Sequence, residues 1–194
     1  MPLITVEGID GAGKTSLVEG LWAAMPDAVV LREPGGVELS ERIRGLVTDP
    51  ALTVSPRAEA LLYAAARAQL VEELLGPLLE KGTTVLLDRF VDSSLAYQGG
   101  GRGLGIEWVR SINDFGIAPD RTLLLRLAPA AARARLADRG EAEDRLELAG
   151  PAFFEAVADA YDALAEAEPG RFVVLDASLP REDVLAQALA ALDA

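Results

Sequence analysis

The chain has 194 residues, 51% of them apolar, and contains neither cysteine nor histidine. Its length fits one α/β domain with a small insertion. The missing residue types exclude disulfides, zinc–thiolate sites, thiol catalysis and an imidazole base, leaving carboxylates, hydroxyls, Lys, Arg and hard cations. A formal net charge of −13 argues against a nucleic-acid polymer as partner, and among 18 basic residues only Lys14 and Lys81 are lysines, so any convergent cationic site is built mainly from arginine.

Residues 3–6 form a short apolar run without a basic leader, which predicts a strand and not a signal peptide. No apolar stretch approaches the roughly 20 residues that span a bilayer, so a soluble cytoplasmic protein without membrane contact is expected. Next comes Gly8-Ile9-Asp10-Gly11-Ala12-Gly13-Lys14-Thr15, followed by Ser16. It matches G-x-x-x-x-G-K-[ST] between a predicted strand and a predicted helix, the context a phosphate-binding loop requires. Backbone N–H groups there face nucleotide phosphates, Lys14 adds a mobile charge, and the Thr15 hydroxyl is a candidate Mg²⁺ ligand. A glycine-rich turn that binds nothing would need neither flank nor the lysine.

Leu17, Val18, Leu21, Trp22 and Met25 recur at helical spacing until Pro26 closes the helix. Residues 28–31 predict a second strand, with Arg32-Glu33-Pro34-Gly35-Gly36 behind it and Arg44 in the next helix. Residues 57–81 predict a long helix kinked at Gly76-Pro77. On it Tyr63 and Arg67, four apart, share a face; they could stack on a base and bond its edge, or be a core tyrosine beside a surface arginine. Residues 83–87 predict a third strand, whose C-terminal end carries Asp88-Arg89-Phe90. Ligands of open α/β sheets gather at such ends, where Asp88 could hold Mg²⁺ and Arg89 a phosphate. Residues 122–127 and 172–175 predict the fourth and fifth strands. Between them, the helix 129–139 leads into Gly140-Glu-Ala-Glu-Asp144-Arg145-Leu-Glu147, a charged break that predicts a lid around residues 133–150, followed by a helix over 151–168. Near-continuous apolar strands alternating with helices predict one domain over residues 1–194, a three-layer, doubly wound parallel sheet of five strands.

Taken together, these phrases resemble bacterial thymidylate kinases. The residues that carry the resemblance are Glu7 to Thr15, Arg32 to Gly36, Tyr63 to Gln69, Asp88 to Gly99 through Ser93-Ser94-Leu-Ala-Tyr97-Gln98, and Arg139 to Glu147, all in family order. The resemblance implies the nucleoside monophosphate kinase fold with a short lid, ATP and dTMP as substrates, Mg²⁺ on Thr15 and Asp88, and a homodimer. It implies that Gly8 to Ser16 bind ATP. Tyr63 would stack on thymine and Arg67 would bind its edge, with Ser94 and Gln98 nearby. Arg44, Arg89 and Ser93 would hold the dTMP phosphate, Asp10 would reach the sugar end, and Tyr97 would crowd the 2′ position. Family forms carry the catalytic arginine either in the P-loop or in the lid. Gly11 stands where the first form has Arg, so Arg139 and Arg145 are implied to join Lys14 and Asp88 in catalysis. Tyr63 stands where Phe is usual, Phe90 where Tyr is usual, Ala66 and Leu70 where Asp and His are frequent, and Arg126 where Asp is common. The alternative is another P-loop nucleoside or nucleotide kinase, which would give no reason for the Ser-Leu-Ala-Tyr-Gln-Gly phrase. A GTPase-type switch would need Asn-Lys-x-Asp, which does not occur.

Overall fold

The computed structural model describes residues 3–140 and 144–192, with only the backbone of Arg139. Five strands, β1 (Leu3–Glu7), β2 (Val29–Arg32), β3 (Val85–Asp88), β4 (Arg121–Arg126) and β5 (Phe172–Asp176), form one parallel sheet in the order β2-β3-β1-β4-β5. Each overlaps its expected run to within two residues, the shifts following the ladder and not the apolar pattern. Helices α1 (Lys14–Ala24), α2 (Glu38–Thr48), α3 (Pro56–Leu70), α4 (Gly76–Glu80), α5 (Val91–Ser94), α6 (Ile106–Ser111), α7 (Pro129–Arg139), α8 (Pro151–Ala167) and α9 (Arg181–Leu192) cover its two faces.

Alternation along the strands divides the core. Leu3, Val85 and Leu87 join Leu31, Leu70, Leu75 and Phe90 on one face. Ile4, Val6, Leu86 and Leu123 join α1 and α9 side chains on the other, while α8 packs on the first face, where its Tyr161 bonds Glu7. The central strands are therefore buried on both faces, as a parallel sheet demands. The order sets β1 beside both β3 and β4, so the loop after β1 lies between the C-terminal ends of its neighbours.

The expected long helix is present, but its irregularity takes a different form from a kink. Val71–Leu75 is π-helical, with the Gly76 N–H bonding five residues back to the Val71 carbonyl, and the helix resumes as α4. Pro77 offers no N–H and its ring crowds the preceding turn, so the turn widens. A second π-helical stretch, Leu95–Gly101, went unforeseen. Here α8 packs closely: a Cβ on Gly100 would lie 2.5 Å from the Ala160 Cβ, and one on Gly101 2.6 Å from the Phe153 ring.

Candidate active site

The loop from Gly8 to Gly13 joins β1 to α1, and its glycines are sterically required. At Gly8, φ is +139° and a Cβ would meet the Leu125 carbonyl at 2.6 Å; at Gly11, φ is +84° and a Cβ would meet the Ala132 carbonyl of α7 at 2.5 Å. An arginine at position 11 is thus shut out by both backbone conformation and α7. Ile9 and Ala12 are buried against the core, while Gly13, Thr15 and Ser16 line the cleft above the loop.

Lys14 is only 8% exposed. Its Nζ donates to the carbonyls of Gly8 (3.1 Å) and Ile9 (3.0 Å) and lies 3.9 Å from Asp10 Oδ1. Burial, then the Arg89 charge, lowers its ammonium to about 8, against the pull of Asp10, Asp88 and Glu7.

Opposite stands Arg89, the one non-glycine residue with positive φ (69°) among the described residues. That backbone turn at the end of β3 costs about 1 kcal/mol or more and is held by a dense set of bonds. Nη1 donates to the Gly8 carbonyl (3.2 Å) and Ser93 Oγ (3.0 Å), and Nη2 to Asp10 Oδ1 and to the Tyr97 hydroxyl (3.4 Å). The Tyr97 hydroxyl donates to Asp10 Oδ2 (2.8 Å) and accepts from the Asp10 N–H (3.1 Å). Burial alone would raise the Asp10 carboxyl, yet Arg89, Lys14 and Tyr97 hold it at about 2.

Beneath this cluster lies Glu7, whose role the motifs did not show. Its Oε1 accepts from the N–H groups of Phe90 (2.7 Å) and Ser93 (3.3 Å), and Oε2 from Ser93 Oγ (2.6 Å) and the Tyr161 hydroxyl (2.7 Å). Burial, then Asp92, raises its pKa. Glu7 and Tyr161 therefore brace the turn that presents Arg89. A charged residue ending an apolar strand was a signal for Glu7; nothing in the sequence singled out Tyr161.

A cleft of about 1000 Å³ runs over the loop. One side is lined by Arg32, Glu33, Arg44 and Thr48, the floor by Lys14, Asp88 and Arg89, and the other side by Arg135, Leu136, Ala177, Leu179 and Arg181. Arg135 Nη2 donates to the Ala177 carbonyl (2.9 Å), closing the second side between α7 and the loop after β5. The Asp88 Oδ1 atom is buried and accepts no hydrogen bond from the described residues. With the Thr15 hydroxyl in the same cleft, this orphan oxygen fits a hard cation that keeps waters and phosphate oxygens as its remaining ligands. Among the described residues, no three His, Cys, Asp or Glu side chains are placed together to hold a metal ion.

The other expected residues divide into two groups. Arg44 lines the cleft and donates to the Pro34 carbonyl (3.2 Å), and burial, then Arg32, lowers its pKa. Tyr63 is half-buried against the core. Arg67 is 2% exposed and spent within the protein. Nε donates to Glu33 Oε2 (2.8 Å), Nη1 to Ser94 Oγ (3.1 Å) and Asn113 Oδ1, and Nη2 to the Phe90 carbonyl (3.0 Å). Gln98 is buried with its Nε2 on Glu59 (2.9 Å). Among the described residues, the cleft wall includes neither Tyr63 nor Arg67.

Of the two lid arginines, the Arg139 side chain lies outside the described residues. Arg145 is not brought to the loop: Nη1 pairs with buried Glu59 (2.7 Å) and Nε donates to the Val47 carbonyl (2.9 Å). In this structure a buried carboxylate on α3 takes the charge of Arg145, which the resemblance assigned to the phosphates. Arg126, the odd residue on β4, pairs with exposed Asp162 (2.8 Å) on α8.

Comparison with known proteins gives a consistent result. The family model described as Thymidylate kinase matches residues 6–188. A thymidylate kinase of Deinococcus radiodurans is 48% identical over 97% of this chain and 95% of its own. One from Lactobacillus delbrueckii subsp. bulgaricus is 47% identical over 94% and 91%. The crystal structure of thymidylate kinase from Ehrlichia chaffeensis superposes with a TM-score of 0.82 at 27% identity, covering 100% of this chain and 98% of that one. A match over nearly the whole length, on a fold that sets the P-loop lysine beside Asp88 and Arg89 under one cleft, shows that the chain belongs to the thymidylate kinase family.

Proposed function

We infer that the chain transfers the γ-phosphoryl group of ATP to dTMP, giving ADP and dTDP. The observation that carries this reading is the buried Lys14 facing Asp88 and Arg89 across the ends of β1 and β3. A phosphate oxygen of dTMP attacks the γ-phosphorus in line; the new P–O bond forms as the bond to the β,γ-bridging oxygen breaks, and that electron pair leaves on ADP. Phosphate monoesters have a second pKa of about 6, so the nucleophile is already ionised and the lack of histidine is no obstacle.

Protein side chains supply position and charge. The loop from Gly8 to Ser16 cradles the ATP phosphates, and Lys14 exchanges its bonds to the Gly8 and Ile9 carbonyls for phosphate oxygens. Arg135 and Leu136, facing Ala177 and Leu179, form the adenine end. Arg89, Arg44 and Ser93 take the dTMP phosphate, and Asp10 and Tyr97 meet the sugar. Tyr63 faces the base, with Ser94, Gln98 and Arg67 behind it; for Arg67 to bind the base edge, it would have to give up part of the bonding described above. Mg²⁺ would be held by Thr15 and Asp88 and would neutralise charge on the β- and γ-phosphates. Arg139 is our proposal for the lid cation, supported by the cleft-lining position of Asp138 just before it.

We further propose a cytoplasmic homodimer. No helix among the described residues is long and apolar enough to cross a membrane. Leu39 and Leu46, seven apart on α2, and Leu61 on α3 are exposed apolar side chains on two helices that pack together. Transfer of label from γ-labelled ATP to dTMP tests the reaction: labelled dTDP is expected, and ATP hydrolysis without labelled dTDP would overturn it. Sedimentation equilibrium tests the dimer, which a monomer at micromolar concentration would contradict.

A further inference from the structure

Glu59 lies one turn before Tyr63 on α3 and is fully buried, at 0% exposure. A solitary carboxylate there would be costly, yet this one receives donors from three residues on two other segments. Gln98 Nε2 (2.9 Å) and Arg102 Nε (3.2 Å) reach Oε1; Arg102 Nη2 (3.0 Å) and Arg145 Nη1 (2.7 Å) reach Oε2. Gln98 and Arg102 belong to the π-helical stretch and its end, which also carries Tyr97. Arg145 belongs to the segment after α7, where it is also tied to the end of α2: Nε donates to the Val47 carbonyl (2.9 Å) and the backbone N–H to the Thr48 carbonyl (3.2 Å). One carboxylate thus joins the helix bearing the base-facing tyrosine to the stretch bearing the sugar-facing one and to the lid segment.

Residues 144–147 are also braced among themselves. Asp144 Oδ1 accepts from the N–H groups of Leu146 (2.8 Å) and Glu147 (2.9 Å), and Asp144 and Glu147 both line the cleft over the P-loop. A displacement of Arg145 is therefore passed to residues facing the ATP side. Glu59 and Tyr63 share a helix face, and burial, then Glu59, raises the Tyr63 phenol, with a smaller contribution from Asp144. Both charges are thus felt at the same ring.

We propose that Glu59 is a positioning residue: through Arg145 it latches the lid segment onto the wall of the dTMP pocket, so that dTMP binding and lid closure favour each other. Glu59 need not touch either substrate. A buried ion pair is either made or broken, which gives the lid two discrete positions. By linkage, a ligand that favours the latched position is itself bound more tightly in it. Arg145 then acts on binding, where a cation at the transferring phosphate would act on the transition state.

The proposal rests on the assignment of the Tyr63 pocket to dTMP, and the experiment separates the two. Steady-state kinetics and calorimetry are run on the full-length chain with ATP, Mg²⁺ and dTMP, for the wild type, Glu59→Gln, Arg145→Ala, the double variant and Tyr63→Ala. Arg145→Ala and Glu59→Gln should each raise the dTMP KM about tenfold while kcat changes less than about threefold. The double variant should be no worse than either single one, because the same pair is removed each time. Arg145→Lys should recover part of the dTMP affinity, since an ammonium can still reach the carboxylate. If Glu59→Gln fails to fold, Arg145→Ala and Arg145→Lys, on the lid side, carry the test alone. A fall in kcat of about a hundredfold in Arg145→Ala at unchanged dTMP KM would overturn the latch and send Arg145 to the phosphates. Additive losses in the double variant would overturn it as well. Tyr63→Ala without effect on dTMP binding would overturn the pocket assignment and the proposal with it; weakened dTMP binding in Tyr63→Ala, with the Glu59 and Arg145 variants unaffected, would overturn the latch only.

Discussion

Lys14 is the residue on which phosphate chemistry and folding stability pull in opposite directions. A charge needed at the phosphates is held in a buried site, where burial and then Arg89 bring its ammonium to about 8 from an ordinary 10.5. Between those two values the unfolded chain binds more protons than the folded one, so stability rises with pH there; below the lower value the full penalty of burying the charge stands. Urea unfolding of the wild type and Lys14→Met at about pH 7.5 and about pH 9.5 should show the difference shifting towards the wild type at the higher pH. A pH-independent difference would mean that Lys14 titrates normally. Activity of the same variant at neutral pH should fall by about 10²-fold or more. Tyr97 raises a separate residue-scale question, since its hydroxyl bonds Asp10 while its ring bulk is what would exclude a 2′ substituent. Tyr97→Phe should keep the dTMP/UMP preference and lower kcat/KM for both, because Asp10 and Arg89 lose a bond but the ring stays. A collapse of the preference would move discrimination from the ring to the hydroxyl. The residues proposed to hold phosphate were legible because that chemistry demands a fixed spacing, as in Gly8 to Thr15. Glu59 was not: beside Arg57 and Ala58 it reads as one more solvated helix charge, and only the tertiary approach of Arg102 and Arg145 buries it.

Secondary-structure elements were legible where one periodicity ran unbroken. All five strands follow apolar runs, and α1 follows its spacing of three and four. The π-helical stretches were not, because an inserted residue shifts the face without changing composition. Leu95–Gly101 matters most, since it sets Tyr97 and Gln98 in place while its glycines admit α8. Gly100→Ala drives a methyl group into Ala160, so it should destabilise by about 1–3 kcal/mol, the usual cost of overpacking, and weaken dTMP binding more than ATP binding. Urea unfolding and calorimetry check both halves; an unperturbed midpoint would show that α8 can retreat. Within the stretch expected to form a lid, α7 lines the cleft through Arg135, Leu136 and Asp138. The arginines of this stretch make different contacts: Arg135 bonds the Ala177 carbonyl at the cleft wall, and Arg145 ties its segment to α3.

At the scale of the whole molecule, sheet order was beyond the sequence, because parallel strands buried on both faces carry no mark of their neighbours. The order β2-β3-β1-β4-β5 brings Asp88 and Arg89 beside the P-loop and leaves β4 and α7 to bound it on the other side. This acidic chain's arginines divide by position into those paired away from the cleft, Arg67, Arg102, Arg145 and Arg171, and those that line it, Arg32, Arg44, Arg89, Arg135 and Arg181. The proposed phosphoryl transfer to dTMP rests on the second set together with Lys14, and on the proposal that Tyr63 and Tyr97 face the nucleoside. The direct test is ADP release from ATP with Mg²⁺, measured in parallel with dTMP, dUMP, dCMP, UMP and AMP as acceptors. The expected result is a kcat/KM highest for dTMP, lower for dUMP, and at least about a hundredfold lower for UMP and AMP. Turnover of UMP or AMP as efficient as that of dTMP would contradict it.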